Sequence, residues 1–169
     1  MKVLWVDAER PGGTEIDGWV FHASSLLRRM DVKRVGPLHI RGRATASRGM
    51  CEVAGRVRTE IVYRCARCLT SVEDLLEVPL QEVFSRLPLT FEQEEADVIY
   101  APGDAVELDA CAFQALFLGM RLQVLCAPQC KGLCPVCGLD RNTASCDCDT
   151  ERIDPRWEAL GDAMARGKP

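Results

Sequence analysis

From Leu38 to Ser47 the chain alternates: Leu38, Ile40, Gly42, Ala44 and Ala46 are apolar or small, and His39, Arg41, Arg43, Thr45 and Ser47 between them are polar. A period of two marks a half-buried strand, because successive side chains leave opposite faces of the pleat. The same rhythm returns in Val53–Tyr63, with Val53, Gly55, Val57, Thr59, Ile61 and Tyr63 on one side and Arg56, Arg58 and Glu60 on the other. Ser47-Arg48-Gly49-Met50 supplies a turn between them, so the two segments are expected to form a hairpin whose polar face is rich in arginine. A third strand from Val72 to Phe84, with Leu76, Val78, Leu80 and Phe84 inward, would extend the meander. Cys65-Ala-Arg-Cys68 then falls at the tip between the second and third strands.

Downstream the pattern shortens. An acidic connector, Thr90 to Asp97, leads to Val98–Tyr100 and Ala105–Leu108, which the turn chemistry of Ala101-Pro-Gly-Asp104 predicts to be a hairpin. The period then becomes helical: Ala112, Phe113, Leu116, Phe117 and Met120 predict a helix capped by Asp109 and running to the region of Leu122. Asp154-Pro155 would open a last helix with Trp157, Leu160 and Met164 on one face. The residues before Asp31 show no clear period. The expected fold is α+β, an antiparallel β-meander or barrel-like sheet with a few helices and a C-terminal cysteine-rich segment. We divide it into a core domain, 1–125, and a zinc-binding segment with the last helix, 126–169.

Composition adds a core and a compartment. With 47% hydrophobic residues in 169, the chain can bury a core of its own. No run approaches the ~20 apolar residues of a membrane span, and Asp7, Glu9 and Asp17 break up the N-terminal apolar residues, so no leader and a cytoplasmic location are expected. The net charge of −4 hides an asymmetry: Arg28 to Arg67 holds eleven basic and three acidic residues, whereas Thr70 to Ala110 holds eleven acids and Arg86 alone. A basic surface with an anionic partner is one reading. Mutual neutralisation across paired strands is the other.

The ten cysteines change the picture most. Six lie in one run, Cys126-x3-Cys130-x3-Cys134-x2-Cys137-x8-Cys146-x-Cys148, and Cys65-x2-Cys68 repeats the short spacing upstream. Two thiolates on one tight turn can chelate a single ion, and in a reducing cytosol clustered cysteines are ligands more often than disulfides. Eight thiols suffice for two tetrahedral sites, and neither His22 nor His39 lies near a cysteine pair. The partition we favour joins Cys134, Cys137, Cys146 and Cys148 in one zinc site and Cys65, Cys68, Cys126 and Cys130 in a second, which requires the hairpin tip to lie beside the start of the C-terminal segment. A single zinc on another four cysteines stays open. The run lacks the bacterial ferredoxin spacing for iron–sulfur ligation, and Cys65 does not open the helix of a βαβ redox unit. Cys51 and Cys111 have no neighbouring cysteine and read as buried thiols. Closed thiolate sites leave no open catalytic position, and the chain holds no nucleophile elbow, P-loop or HExxH motif, so no enzyme is expected.

The segments Val62-Tyr-Arg-Cys65-Ala-Arg-Cys68-Leu69, Cys126-Ala-Pro-Gln-Cys130-Lys-Gly-Leu-Cys134-Pro-Val-Cys137-Gly138, Cys146-Asp-Cys148 and Asp154-Pro-Arg156 resemble the YceD family of large ribosomal RNA subunit accumulation proteins. One departure is Arg141 where an apolar residue usually precedes Asn142. The resemblance implies a role in large-subunit ribosomal RNA accumulation and ribosome assembly, and no known enzymatic activity. Some members lack the C-terminal cysteines, which implies that the metal stabilises the protein. On this reading Arg41, Arg43, Arg56, Arg58 and Arg64 would contact phosphates of that RNA or of a pre-ribosomal particle. The competing readings are a protein-binding adaptor, whose acidic stretch Glu92 to Asp97 docks a basic ribosomal protein or assembly factor, and a thiol redox sensor.

Overall fold

The computed structural model describes residues 1–21, 31–149, 155–157, 160 and 163–164. Lys2–Leu4 (β1) enters one helical turn, Trp5–Ala8 (α1), and is followed by strands Thr14–Val20 (β2), Val32–Val35 (β3), Leu38–Ser47 (β4), Met50–Arg64 (β5) and Ser71–Ser85 (β6). Phe91–Glu95 (α2), Ile99–Tyr100 (β7), Ala105–Glu107 (β8) and Asp109–Gly119 (α3) complete the core, and Pro155–Trp157 forms a 3-10 turn. The larger sheet has the order β2-β4-β5-β6-β7 with β3 also on β5, and β1 and β8 make a separate pair. The α+β class, with a mostly antiparallel sheet and a cysteine-rich C-terminal part, is therefore as the sequence predicts.

The predicted meander is present and longer than its hydrophobic pattern. Ser47 pairs with Met50 across a two-residue turn, in which Arg48 has φ 53° and Gly49 has φ 77°. Two positive φ values in succession match the twist of a tight hairpin, which favours glycine at the second. β5 and β6 then stay in register from Met50↔Ser85 to Arg64↔Ser71. On its other edge β5 meets β4 and β3 in turn, because Gly36-Pro37 interrupts what would otherwise be one strand. Proline offers no N–H to a ladder, so pairing must break there. Thr59 repairs the gap: its buried hydroxyl lies 3.1 Å from the carbonyl oxygens of both Gly36 and Pro37, and the Gly36 N–H donates to Glu60 at 2.8 Å.

The inner face of the sheet buries Leu38, Ile40, Val53, Val57, Ile61, Leu76, Val78, Leu80 and Phe84, and α3 covers it with Ala112 and Leu116. Cys51 and Cys111 are buried as expected, and burial pushes both thiols up to about 11. Three local expectations are corrected. The segments around 98–108 do not form a hairpin: β7 runs parallel to β6 with Ile99 beside Phe84, while β8 pairs with β1, placing Val106 opposite Val3. Each short strand finds its apolar partner elsewhere, so the Pro102-Gly103 turn connects two sheets.

The helix α3 starts at Asp109 with Leu108 in the cap position, and it stops at Gly119 because Met120 turns extended, with ψ 136°. Its buried row is Leu108, Cys111, Ala112 and Leu116, which leaves Phe117 half exposed at the edge of the stripe. Trp157, Leu160 and Met164, expected on one face of a last helix, are exposed, and the cap expected at Asp154 lies outside the described residues. Among the described residues no helix is long and apolar enough to cross a membrane.

The two central strands approach most closely where Gly42 faces Gly55. A Cβ on Gly42 would stand 2.4 Å from the Ala54 carbonyl oxygen and 2.6 Å from the Gly55 Cα. Backbone cannot swing aside as a side chain can, so Gly42→Ala is expected to cost about 2 kcal/mol or more. Gly103→Ala, at a position with nothing within 4 Å of the added carbon, should stay within about 0.5 kcal/mol of the parent. Urea denaturation of the two variants measures the difference.

Candidate metal centres and the arginine face

The turn after β5 is built to aim two sulfurs at one point. The Cys65 N–H donates to the Thr70 carbonyl at 2.8 Å, and Leu69 N–H returns to the Cys65 carbonyl at 3.0 Å. Leu69 pays for this closure with a φ of 62°. The Arg67 N–H points at the Cys65 sulfur, 3.5 Å away, and the Thr70 hydroxyl lies 3.3 Å from the Cys68 sulfur. Residues 124–130 then pass over this tip, with the Ala66 N–H bonded to the Val124 carbonyl at 2.8 Å. The result is a four-sulfur group, Cys65, Cys68, Cys126 and Cys130, with all Sγ atoms within 4.8 Å of one another.

A second group, Cys134, Cys137, Cys146 and Cys148, has the same compactness. The Gly138 N–H donates to the Cys134 carbonyl at 2.9 Å, closing a knuckle in which Gly138 adopts φ 73°. The two groups are tied together. Arg67 accepts from the Leu133 N–H at 3.0 Å and donates its guanidinium to the Cys130 carbonyl at 2.8 Å. Asn142, in the loop of the second group, reaches the Cys130 sulfur of the first at 3.5 Å, and its side-chain oxygen accepts from the Lys131 N–H at 2.8 Å. Neither Arg67 nor Asn142 has a role that cysteine spacing could reveal.

The donor set fits a single ion per group. At ~2.3 Å from zinc, tetrahedral thiolates stand ~3.8 Å apart along each edge, and the sulfur pairs are 3.8 Å apart for Cys65–Cys130 and 3.5 Å for Cys68–Cys126. The protonation pattern agrees. Burial works against a Cys65 thiolate, but backbone N–H groups of Cys68 and Arg67 bring it down to about 6, and those of Cys137 and Val136 bring Cys134 to about 6. The last proton in each group is held hard: the Cys68 sulfur pushes Cys126 up to about 12, and the Cys137 sulfur pushes Cys148 to about 12. A dication held by these sulfurs would replace those protons and remove the repulsion. Both groups can therefore hold a metal ion, in the partition that the sequence favoured.

Four of the five arginines converge on the outer face of the sheet. Arg41 faces Arg56, and Arg58 faces His39, across β4 and β5. Arg43 lies one outward position further along β4. Arg64, at the far end of β5 opposite Ser71, is about 20 Å of strand away from Arg58 and does not join them. Carboxylates border the group: Arg56–Glu77 is 2.6 Å, Arg43–Glu15 is 3.4 Å and Arg41–Asp17 is 3.5 Å. Cross-strand neutralisation is thus part of the structure, although such exposed pairs are weak and exchange easily. Among the described residues Arg58 has no carboxylate at ion-pair distance. Arg41, Arg56 and Arg58 line a depression of about 520 Å³.

An α+β core with two all-cysteine groups, one closing on the tip of its central hairpin, defines a cysteine-clasped sheet protein. The YceD family model, described as the large ribosomal RNA subunit accumulation protein, matches residues 53–162, and the chain belongs to that family. The matched stretch carries both cysteine groups, Arg56 and Arg58, and leaves out β2 and β4. Among curated proteins, the chain is 33% identical over 110 residues to the uncharacterized protein Rv2926c of Mycobacterium tuberculosis, covering 64% of this chain and 53% of that one. It is 26% identical over 131 residues to YlbN of Bacillus subtilis, covering 77% and 76%. It is 28% identical over 135 residues to the chloroplastic large ribosomal RNA subunit accumulation protein YCED homolog 1 of Arabidopsis thaliana, covering 63% and 42%. The chain spans about half the length of the mycobacterial relatives it matches. No solved structure matches it.

Because the two groups share no cysteine, Cys68→Ser and Cys137→Ser should each lower the metal content by one ion per chain and leave the other site filled. Asn142→Ala should keep both ions but release one of them to a chelator about tenfold faster, as expected for a group bonded to a ligand sulfur. Elemental analysis and chelator kinetics with a metal indicator check both.

Proposed function

We propose that this protein supports the accumulation of large-subunit ribosomal RNA by binding that RNA, or a pre-ribosomal particle containing it, in the cytoplasm, on the outer face of β2, β4 and β5. Zinc in both cysteine groups is the clasp that holds segment 126–169 to the core domain 1–125. The observation that carries the RNA reading is the meeting of Arg41, Arg56 and Arg58 around one depression in a member of a family described by ribosomal RNA accumulation. A guanidinium presents planar donors that suit phosphate oxygens, and Arg58, which has no carboxylate at ion-pair distance among the described residues, is placed to bind one. Arg43 and Arg64 would add contacts at the margins.

Zinc is favoured over a polynuclear iron–sulfur cluster by the sulfur geometry. In a [4Fe–4S] cluster each thiolate ligates a different iron, and in a [2Fe–2S] cluster the four are divided between two irons, so the full set spreads wider than the edges of one tetrahedron; here all four lie within 4.8 Å. A filled four-thiolate site has no open position for substrate, so its contribution is structural.

Native mass spectrometry with elemental analysis should find two zinc ions per chain. One ion, or iron, overturns the paired-zinc reading. For RNA, fluorescence anisotropy on a large-subunit ribosomal RNA fragment should show affinity that falls with salt, and the triple variant Arg41→Glu, Arg56→Glu, Arg58→Glu should bind at least about tenfold more weakly, with a salt slope shallower by about two to three. No affinity at low salt, or no loss in the triple variant, overturns the RNA reading.

A further inference from the structure

Trp19 stands where a strand residue of its size is rarely left. It lies on the outward side of the edge strand β2, 55% exposed, although large aromatic side chains are mostly covered in folded chains. Its ring is stacked on that of His39, with centroids 4.4 Å apart and an interplanar angle of 20°. His39 is itself fixed: its Nε2–H donates to the Asp17 carboxylate at 2.7 Å. The register puts Trp19, His39, Arg58 and Glu77 in one row across four strands, with Asp17, Arg41, Arg56 and Pro79 in the next. Adjacent rows of outward side chains are about 7 Å apart along the strands, and neighbouring strands about 4.8 Å apart. Trp19, His39 and Arg58 line a second depression, of about 340 Å³, that also includes Leu75. His39 and Arg58 belong to both depressions.

We infer that this aromatic–arginine row is a binding site for an unpaired nucleotide of single-stranded RNA, with the base stacked on Trp19 and the adjoining phosphates held by Arg58, Arg41 and Arg56. The inference rests on the RNA reading of the arginine face and specifies its ligand. A π-face held at a fixed angle costs little further ordering when a base stacks on it, and every base has such a face, so the site tolerates any sequence. His39 behind Trp19 acts as a positioning residue: anchored by Asp17, it keeps the indole from rotating.

The carboxylates set the choice of strand. Asp17, Glu15, Glu60 and Glu77 stand among or beside the arginines, so the face does not offer the continuous basic track that a duplex with two phosphate ribbons would use. A duplex also keeps its bases stacked on one another and unavailable to an indole. Among the described residues no strand pairs with the outer edge of β2, so the Trp19 end of the row can receive a strand arriving from solvent.

The test uses the full chain and fluorescence-labelled ten-nucleotide RNA, single-stranded or annealed to its complement. Wild type should bind the single strand more tightly than the duplex. Trp19→Ala should weaken single-strand binding about tenfold or more, Trp19→Phe should recover most of it, and neither should change the salt slope, because no phosphate contact is lost. Circular dichroism melts confirm that the edge substitution leaves the fold intact. If Arg58→Glu weakens binding while Trp19→Ala matches wild type, the stacking site is overturned and the RNA reading stands. If wild type prefers the duplex, the single-strand assignment is overturned. If wild type binds neither RNA at low salt, both readings are overturned together.

Discussion

Four sulfurs within 4.8 Å of one another cannot all be thiolates without a cation between them. That electrostatic constraint governs how residues 126–149 relate to the sheet. Among the described residues, the cysteine-rich part attaches to the core through a small buried cluster of Cys65, Cys68 and Cys130, against which Val72, Leu125 and Leu133 pack. So little apolar area contributes only a few contacts' worth of attraction. The hydrogen bonds of Arg67 and Asn142 add direction and register. An ion shared by the sulfurs would supply the remaining stability of the attachment, and the knuckles suit one, with backbone N–H groups turned toward Cys65 and Cys134.

The opposite end of the same hairpin depends on none of this. β5 and β6 are paired from end to end, so their inner face seats α3 while their outer face carries Arg56, Arg58, Glu60, Glu73 and Glu77 among uncharged side chains. One pattern of alternation therefore produces both a core and a polar surface, and the arginines are held at strand spacing by the same ladder that buries Val57 and Ile61. Acidic side chains from β2 and β6 flank the arginines on both sides, which makes the face a mixed field with local basic points.

Most of this was legible where one physical signal dominated. β4, β5 and β6 followed from alternation alone, the second cysteine group followed from spacing, since a knuckle is a local structure, and the first from counting the thiols left over. What failed was non-local. Ile99 and Val106 are both apolar residues in short strands separated by a good turn, and nothing local distinguishes a hairpin from two strands that pair with β6 and β1. Phe117 lies one helical row away from the residues that α3 buries. Trp19 was invisible for a different reason: Thr14–Val20 does alternate, with Ile16 and Val20 buried, but the glycine between them and the outward tryptophan invert the usual sizes. Arg67 was visible only as a charge, and its role as a pin between the two metal groups depends on contacts made far along the chain.

The two cysteine groups also differ in the length of chain they close. The second lies wholly between Cys134 and Cys148, so it can assemble as soon as that stretch exists, whatever the rest of the chain is doing. The first joins sulfurs that are 65 and 58 positions apart in sequence, and β6, α2, both short strands and α3 all lie between them. Bringing such distant segments together is entropically costly until the intervening structure has formed. Metal uptake at both groups would thereby be ordered in time: the local knuckle could load early and independently, and the long-range site would fill last, as the step that reports the sheet complete.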